Sequence, residues 1–298
     1  MKHLMIKGLY ADSSPIRKFF VSFFMIIFCS ILFMCIGLLI MNQISDYVVG
    51  MKVYQLISAT GTFCIAPLSA SCLLCHSCKD YLSLHKTKAI FYPIAILIVI
   101  AAIPFINFTT VLNEQIELPE SWQFIESWMK EMEEKNGDLT QQFLDVSNFG
   151  EYLFNLLVLA LIPAIGEELL FRGFIQKALQ KHTKNIHIAI WCSAILFSAI
   201  HCQFYGFFPR MFMGIIFGYL LYWSGSIFVP MACHFFNNAV IVTGSYFINE
   251  NEENIAETLG KEDLLLCLLS FALIIGGCYI IKRISNTITM QKETNKEI

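Results

Sequence analysis

Eight stretches of this 298-residue chain are long and apolar enough to span the roughly 30 Å hydrocarbon core of a bilayer. They cover residues 17–42, 53–75, 88–112, 151–177, 187–206, 208–224, 226–248 and 263–282. Only 14% of the residues are charged, whereas soluble domains contain about a quarter. Because lipid offers the backbone no hydrogen-bond partners, apolar spans of this length must be helical. We therefore expect an all-α fold, a polytopic bundle of about eight transmembrane helices.

The charges between the spans predict how the bundle is oriented, because Lys and Arg collect on the cytoplasmic side. Basic residues precede the first span and follow the second, fourth and eighth, whereas segments 113–150 and 249–262 are acidic. This alternation places both termini in the cytoplasm. The first apolar run is longer than the core of a signal peptide, so we expect a retained span. The expected location is the inner cell membrane.

The chain divides into three parts around this topology. Residues 1–149 hold spans 1–3 and an extracytoplasmic segment whose string LPESWQFIESWMKEMEEK predicts an amphipathic helix on the membrane surface. Residues 150–248 hold spans 4–7 and are the expected catalytic core, while residues 249–298 hold the last span and a basic tail. The 20 Lys and Arg residues are scattered in loops, so no nucleic-acid partner is expected.

A cysteine cluster at residues 72–78, CLLCHSC, contains the CxxCH spacing of a c-type haem attachment site. The charge pattern puts it at the cytoplasmic end of span 2, which is the wrong side for haem attachment. A metal site built from Cys72, Cys75, His76 and Cys78 is the alternative, although no second pair of ligands accompanies it. We expect ordinary packing of these residues and no disulfide framework.

Very few ionisable residues lie well inside the predicted spans. The acids are Glu167 and Glu168, in the string GEELLFRGF, and the bases are Arg172, His201 and His234. Placing a charged group at the centre of a membrane helix costs roughly 3 kcal/mol even on the mildest scale. Each of these residues therefore marks a candidate functional site.

Helical spacing distinguishes the two adjacent acids. Glu168 and Arg172 are four residues apart, so they share one helix face and can form an ion pair. Glu167 is rotated by about 100° from its neighbour and has no partner within the helix. We therefore predict a structural role for Glu168 and a reactive role for Glu167.

Three spans offer polar groups to a possible common centre: Glu167 from span 4, His201 from span 5, and His234 with Asn238 from span 7. The two His and the Glu167 carboxylate could hold Zn²⁺ and leave one position for water. Without a metal, Glu167 and His201 could activate water while His234 and Asn238 donate to an oxyanion. Both arrangements describe a hydrolytic site, and spacing leaves the choice open.

Three strings, in this order, resemble the motifs of one protein family. EELLFR matches EExxxR, FSAIH matches FxxxH and HFFNN matches HxxxN, the motifs of the CAAX-protease and bacteriocin-processing (CPBP, or Abi) family of intramembrane proteases. The resemblance covers residues 150–245. It implies a catalytic site made of Glu167, Glu168, Arg172, His201, His234 and Asn238. The first Glu would activate water with the FxxxH histidine, and the second Glu would pair with the Arg.

The same resemblance implies that His234 and Asn238 complete the site as oxyanion donors or metal ligands, and that the substrate is a peptide or protein in or at the bilayer. The family is commonly described as metalloproteases, yet a glutamate-dependent mechanism without metal has also been argued for it, so Zn²⁺ stays an open expectation. The alternative function is a non-catalytic membrane immunity or scaffold protein of the same fold.

Overall fold

The computed structural model describes residues 7–248 and 258–297, with side chains described as far as residue 291. All regular secondary structure within these ranges is helical, as predicted. The predicted acidic loop 249–262 lies mostly outside the described residues, as do the side chains at the end of the basic tail.

The helices follow the predicted apolar segments. Their bounds are α1 Pro15–Met41, α2 Tyr47–Leu74, α3 Phe91–Glu114, α4 Gln123–Leu144, α5 Phe149–Thr183, α6 Ile186–Ala199, α7 Phe207–Ser224, α8 Phe228–Phe247 and α9 Leu264–Glu297. Five of them, α1, α2, α3, α5 and α9, are long and apolar enough to cross a membrane, which makes the chain a multi-pass membrane protein. The count of eight spans and the cytoplasmic termini stay predictions.

Two long helices contain π-helical turns that each precede a proline. In α2 the π-helical residues are Thr60–Ile65, just before Pro67, and in α5 they are Leu156–Leu161, just before Pro163. A proline ring has no N–H and clashes with the carbonyl four residues earlier, so a wider turn accommodates it. The α-helical geometry assumed for these spans is therefore wrong at these two places, and also at Glu168–Ile175 of α5.

Glycines let the first helices approach α5 closely. A Cβ added to Gly166 of α5 would lie 2.7 Å from the Cβ of Phe63 in α2, so this position has room only for glycine. Gly61 of α2 allows the same close approach by the Phe33 ring of α1. Small residues at helix contacts are typical of membrane bundles. The close contact at Gly166 positions the next residue, Glu167, relative to α2.

A second packing layer joins α3 and α9 behind α7 and α8. Pro104 interrupts the hydrogen bonds of α3, and the hydroxyl of Ser270 from α9 enters the opened turn. This hydroxyl accepts from the N–H of Phe105 at 3.2 Å and donates to the carbonyl of Ala101 at 2.5 Å. The hydroxyl of the neighbouring helix thereby satisfies the backbone N–H and C=O groups next to Pro104.

The amphipathic segment forms α4, as predicted, and α4 is fastened to the bundle at several points. The amide of Asn155 in α5 donates to the carbonyl of Phe143 at 2.6 Å, near the end of α4. The ring of Trp128 packs on that of Phe204, with 5.3 Å between their centroids. These contacts hold α4 over the loop that joins α6 to α7.

Candidate active site

The ion pair predicted between Glu168 and Arg172 is present. The Nη1 atom of Arg172 lies 3.0 Å from Oε1 of Glu168, and the two side chains are 1% and 0% exposed. The guanidinium also lies over the ring of Phe197, with its Cζ 4.2 Å from the centroid. Residues Glu168–Ile175 are π-helical rather than α-helical. The pairing is therefore preserved in a wider turn than the one we expected.

His234 of α8 lies between the two adjacent glutamates. Its Nδ1 is 2.9 Å from Oε1 of Glu168, and its Nε2 is 3.7 Å from Oε2 of Glu167. The Glu168 carboxylate is ion-paired and has no proton to give, so Nδ1 of His234 carries the hydrogen and donates it. Sequence reasoning did not anticipate this contact, because it joins residues 66 positions apart.

The hydrogen bond to Glu168 determines what His234 presents to Glu167. In the neutral ring Nε2 is then an acceptor, and it faces a carboxylate that is also an acceptor. One proton held by either Glu167 or His234 removes this conflict. Together with the Glu168–Arg172 pair, the four groups then carry no net charge, which suits an apolar surrounding.

His201 lies just beyond the end of α6. The prediction that span 5 continues as a helix to residue 206 is wrong, because α6 ends at Ala199 and Cys202 takes a left-handed backbone conformation, φ 51°, as the chain turns toward α7. Nδ1 of His201 is 2.8 Å from the carbonyl oxygen of Phe197. A carbonyl only accepts, so Nδ1 carries the hydrogen and Nε2 keeps a free lone pair.

Asn238 is positioned by the proline of α5. Its Nδ2 donates to the carbonyl of Leu159 at 3.3 Å, and Pro163, four residues later, has no N–H to give that carbonyl. Nδ2 of Asn237 donates to Oδ1 of Asn238 at 3.3 Å. An amide nitrogen carries two hydrogens, so one N–H of Asn238 is left for another acceptor.

These groups surround one cavity of about 660 Å³. Its polar lining includes Glu167, His201, Arg210, His234 and Asn238, whereas the buried Glu168 and Arg172 do not line it. Most of the remaining wall is apolar. The two adjacent glutamates therefore occupy different environments, one facing the cavity and one behind its wall.

Three contributors to this site were missed by sequence reasoning. Asn113 of α3 is 5% exposed; its Nδ2 donates to the carbonyl of Phe204 and its Oδ1 accepts from the N–H of Phe208, both at 2.9 Å. It thereby fixes the loop after His201, and its signal was an amide at the end of an apolar run. The other contributors are Arg210 and α4, which lines the cavity through Asn136, Leu139 and Thr140.

The side chains do not form a ready metal site. Among residues 7–248 and 258–291, no group of three or more His, Cys, Asp and Glu side chains is arranged to hold a metal ion. His201 and His234 each use Nδ1 in a hydrogen bond and keep Nε2 free, which is the usual arrangement of a metal-bound histidine. The two rings and the Glu167 carboxylate are nevertheless not gathered into one set of three ligands, so the donors as arranged do not fit a zinc ion.

The cysteine cluster contributes no residue to the cavity. The Sγ atoms of Cys72 and Cys78 lie 2.7 Å apart as a hydrogen-bonded pair, while the side chain of His76 is 75% exposed and lies 3.9 Å from Asp12. The cysteines of the chain are free thiols. The cluster packs where α2 ends, and the expectation of ordinary packing stays a prediction.

The segment that carries this site matches a known protein family in sequence. Residues 149–240 match the family described as Rce1-like, type II CAAX prenyl endopeptidase, and the resemblance predicted from the three motifs is confirmed for this segment. The "Uncharacterized protein YpbD" of Bacillus subtilis (strain 168) is 31% identical over 90 residues, which cover 29% of this chain and 43% of that protein. The chain thus spans less than half the length of this relative. No solved structure matches the chain.

Proposed function

Because residues 149–240 carry the pattern of the CPBP family, we propose that this chain is an intramembrane endopeptidase that hydrolyses a peptide bond at or near the membrane. One observation supports this above the others. Glu168 is fully buried and paired with Arg172, while the adjacent Glu167 faces the cavity and His234. A carboxylate that is free to exchange a proton beside a cavity is what a general base requires.

In the proposed first step, Glu167 and His201 hold one water molecule in the cavity. The carboxylate of Glu167 takes a proton from this water as the water oxygen attacks the carbonyl carbon of the peptide bond. Nε2 of His201, whose lone pair is free, accepts a hydrogen bond from the other O–H of the water and so orients the water. The products of this step are a tetrahedral intermediate with a negative oxygen and a protonated Glu167.

The intermediate is stabilised by two N–H donors. When Glu167 begins as a carboxylate, His234 holds the shared proton, and its Nε2–H donates to the oxyanion together with the free N–H of Asn238. Glu168 holds the imidazolium in place through Nδ1. The protonated Glu167 then gives its proton to the amide nitrogen and the C–N bond breaks, which regenerates the Glu167 carboxylate and releases an amine and a carboxylic acid that ionises in water.

The metal-free form is the one we propose, since the described donor groups do not form a metal set. The alternative is a zinc ion held by His201, His234 and Glu167, which would supply Lewis-acid activation of water. The dependence of cleavage on a bound metal ion decides between the two.

The surroundings of the site suggest the class of substrate. The cavity walls are largely apolar, and the chain has long apolar helices of the kind that cross membranes. We therefore propose that the substrate is a peptide or membrane protein, that residues 150–248 act as the catalytic core, and that the chain resides in the inner cell membrane. Residues 1–149 contribute the cavity wall through α3 and α4.

Hydrolysis can be tested directly by product analysis. The purified chain is incubated in vesicles with a library of apolar peptides in ¹⁸O-labelled water, and the products are identified by mass spectrometry. The proposal predicts cleavage products whose new carboxylate carries one ¹⁸O atom. If the folded chain cleaves none of the peptides, the proposal fails and the alternative, a non-catalytic immunity or scaffold protein, gains support.

A further inference from the structure

The cysteine cluster at the end of α2 has no part in the proposed reaction, yet two of its thiols are in direct contact. Cys72 lies in the last turn of α2, and Cys78 begins the short helical turn Cys78–Tyr81. Their Sγ atoms are 2.7 Å apart, which is only about 0.7 Å longer than an S–S bond of about 2.05 Å. Two thiols at this distance can exchange electrons with a small disulfide, which a lone cysteine does only by forming a mixed disulfide.

The backbone holds the second cysteine against the first. After α2 the chain reverses, and Ser77 is extended, with φ −133°. The hydroxyl of Ser77 accepts from the N–H of Asp80 at 3.2 Å and caps the helical turn. The N–H of Leu82 donates to the carbonyl of Cys78 at 2.9 Å, and the Leu82 side chain is fully buried. The position of Cys78 is therefore set by the fold.

The first cysteine is held from the other side by the N-terminal segment. The carbonyl of Cys72 accepts from the N–H of Gly8 at 2.8 Å, and the carbonyl of Leu73 accepts from the N–H of Tyr10 at 2.9 Å. Both contact thiols are partly exposed, so a small oxidant can reach them from outside. A bond between the two sulfurs needs no unfolding of α2.

The third cysteine of the cluster is a poorer partner. Cys75 lies between the other two in sequence, but the observed thiol contact joins Cys72 to Cys78. Burial raises the pKa of the Cys75 thiol. Since the thiolate is the reactive form, this shift makes Cys75 slower to react.

The segment that follows the second cysteine anchors two helices of the candidate site. Nζ of Lys177 in α5 donates to Oγ of Ser83 at 2.5 Å and to the carbonyl of Asp80 at 3.2 Å. The N–H of Ile227, the residue before α8, donates to the carbonyl of Ser83 at 3.1 Å. A covalent link at the start of this segment would restrain the part of the chain to which α5 and α8 are attached.

We propose that Cys72 and Cys78 form a reversible disulfide, so that the end of α2 is a redox-sensitive site whose oxidation restrains the anchor of α5 and α8. The oxidant is a low-molecular-weight disulfide, RSSR. One cysteine thiolate attacks a sulfur of RSSR, which forms a mixed disulfide and releases RS⁻. The second thiolate then attacks the protein sulfur of the mixed disulfide and releases the second RS⁻. The two cysteines lose two protons and two electrons, and RSSR becomes two RSH.

The predicted location of the cluster determines which form is the resting one. The charge pattern predicts that the end of α2 faces the cytoplasm, where thiols are kept reduced and disulfides are mostly transient, redox-sensing or catalytic. The dithiol is then the resting form, and the disulfide forms on oxidation. This inference goes beyond the proposed endopeptidase function and does not depend on it.

Differential alkylation of the purified full chain tests the inference. The chain is incubated with oxidised glutathione in detergent micelles, and its free thiols are blocked with iodoacetamide in denaturant. The disulfides are then reduced and labelled with N-ethylmaleimide. Mass spectrometry of fragmented peptides should place this second label on Cys72 and Cys78, and dithiothreitol added before blocking should abolish it. Hydrogen exchange at the amides of residues 80–83 should be slower in the oxidised chain, with unchanged exchange in α9.

Three serine variants identify the reacting pair. Cys75→Ser is the matched control in the same loop and should still form the disulfide. Cys72→Ser and Cys78→Ser should each lose it, and the remaining cysteine of the pair should accumulate as a mixed disulfide with glutathione. The labelling of the wild-type chain tests the pairing even if one of these variants does not fold.

The inference is overturned if the thiols of the wild-type chain stay free in oxidised glutathione, if the second label appears on Cys75, or if the disulfide joins two chains. A disulfide between Cys72 and Cys78 that leaves hydrogen exchange at residues 80–83 unchanged would refute the restraint on α5 and α8. None of these measurements involves peptide cleavage, so the redox site and the proposed function can fail separately.

Discussion

His234 donates its Nδ1–H to the Glu168 carboxylate across 2.9 Å, and this hydrogen bond joins α8 to α5 at the centre of the candidate site. It fixes the tautomer of the imidazole and turns Nε2 toward Glu167. Because Glu168 is itself ion-paired with Arg172, a chain of one ion pair and one hydrogen bond runs from a buried cation to the cavity. Each link can be tested by removing one group.

Removal of the buried cation should destabilise the whole bundle. Arg172→Met leaves the Glu168 carboxylate buried without its partner, and breaking a buried pair in this way costs about 3–5 kcal/mol. We expect a large drop in the melting temperature measured in detergent, with loss of activity. The double variant Glu168→Leu with Arg172→Met removes both charges and should recover stability but not activity, because His234 loses its anchor. Equal stability of the single variant and the wild type would contradict the ion pair.

The close contact of α5 with α2 predicts that Gly166 tolerates no side chain. In Gly166→Ala the added methyl group meets Phe63, and overpacking of this kind costs about 1–3 kcal/mol. The adjacent Glu167 should also shift out of its position at the cavity. The cleavage rate should therefore fall more than the loss of folding stability alone explains. Gly276→Ala is the matched control, since nothing lies within 4 Å of a Cβ there. Thermal unfolding and peptide cleavage of both variants provide the measurement.

Asn113 should matter for activity although it does not line the cavity. Asn113→Ala leaves the carbonyl of Phe204 and the N–H of Phe208 without their partner, at a cost of about 1–3 kcal/mol for unsatisfied buried groups. The loop that carries His201 should loosen, which lowers kcat. Asn42→Ala, at the exposed end of α1, serves as the control. Wild-type kcat in Asn113→Ala would show that the loop does not depend on this amide.

Metal removal separates the two forms of the proposed mechanism. We expect dialysis against a strong chelator to leave the cleavage rate unchanged and elemental analysis to find less than one zinc ion per chain, because the described donors form no metal set. Loss of activity on chelation, with recovery on addition of Zn²⁺, would establish the zinc alternative through His201, His234 and Glu167.

Local patterns in the sequence predicted much of this structure. Apolar length predicted which segments are helical, since lipid leaves the backbone no other choice. A spacing of four residues predicted the pairing of Glu168 with Arg172, because neighbours on a helix face are set by the chain itself. The amphipathic pattern after Pro119 likewise predicted α4. In each case the interacting groups are close in sequence.

The rest depends on contacts between distant segments. The bond from His234 to Glu168, the bridge made by Asn113 and the position of Arg210 arise from how helices pack, which spacing within one helix does not encode. The π-helical turns Thr60–Ile65 and Leu156–Leu161 had a visible signal in Pro67 and Pro163, prolines inside apolar runs, whereas the π-helical segment Glu168–Ile175 is followed by no proline. The early end of α6 had none that we recognise, because residues 187–206 are apolar throughout most of their length.

The cleavage rate of Glu167→Gln tests the central claim most directly. The substitution keeps the size of the side chain but removes the group that takes the proton from water, and a general base contributes about 10²–10⁴-fold to a rate. We predict that kcat/KM falls by at least about 100-fold while the melting temperature stays near that of the wild type, and that Glu114→Gln, at an exposed site on α3, retains full activity. Wild-type cleavage by a folded Glu167→Gln variant would contradict the account.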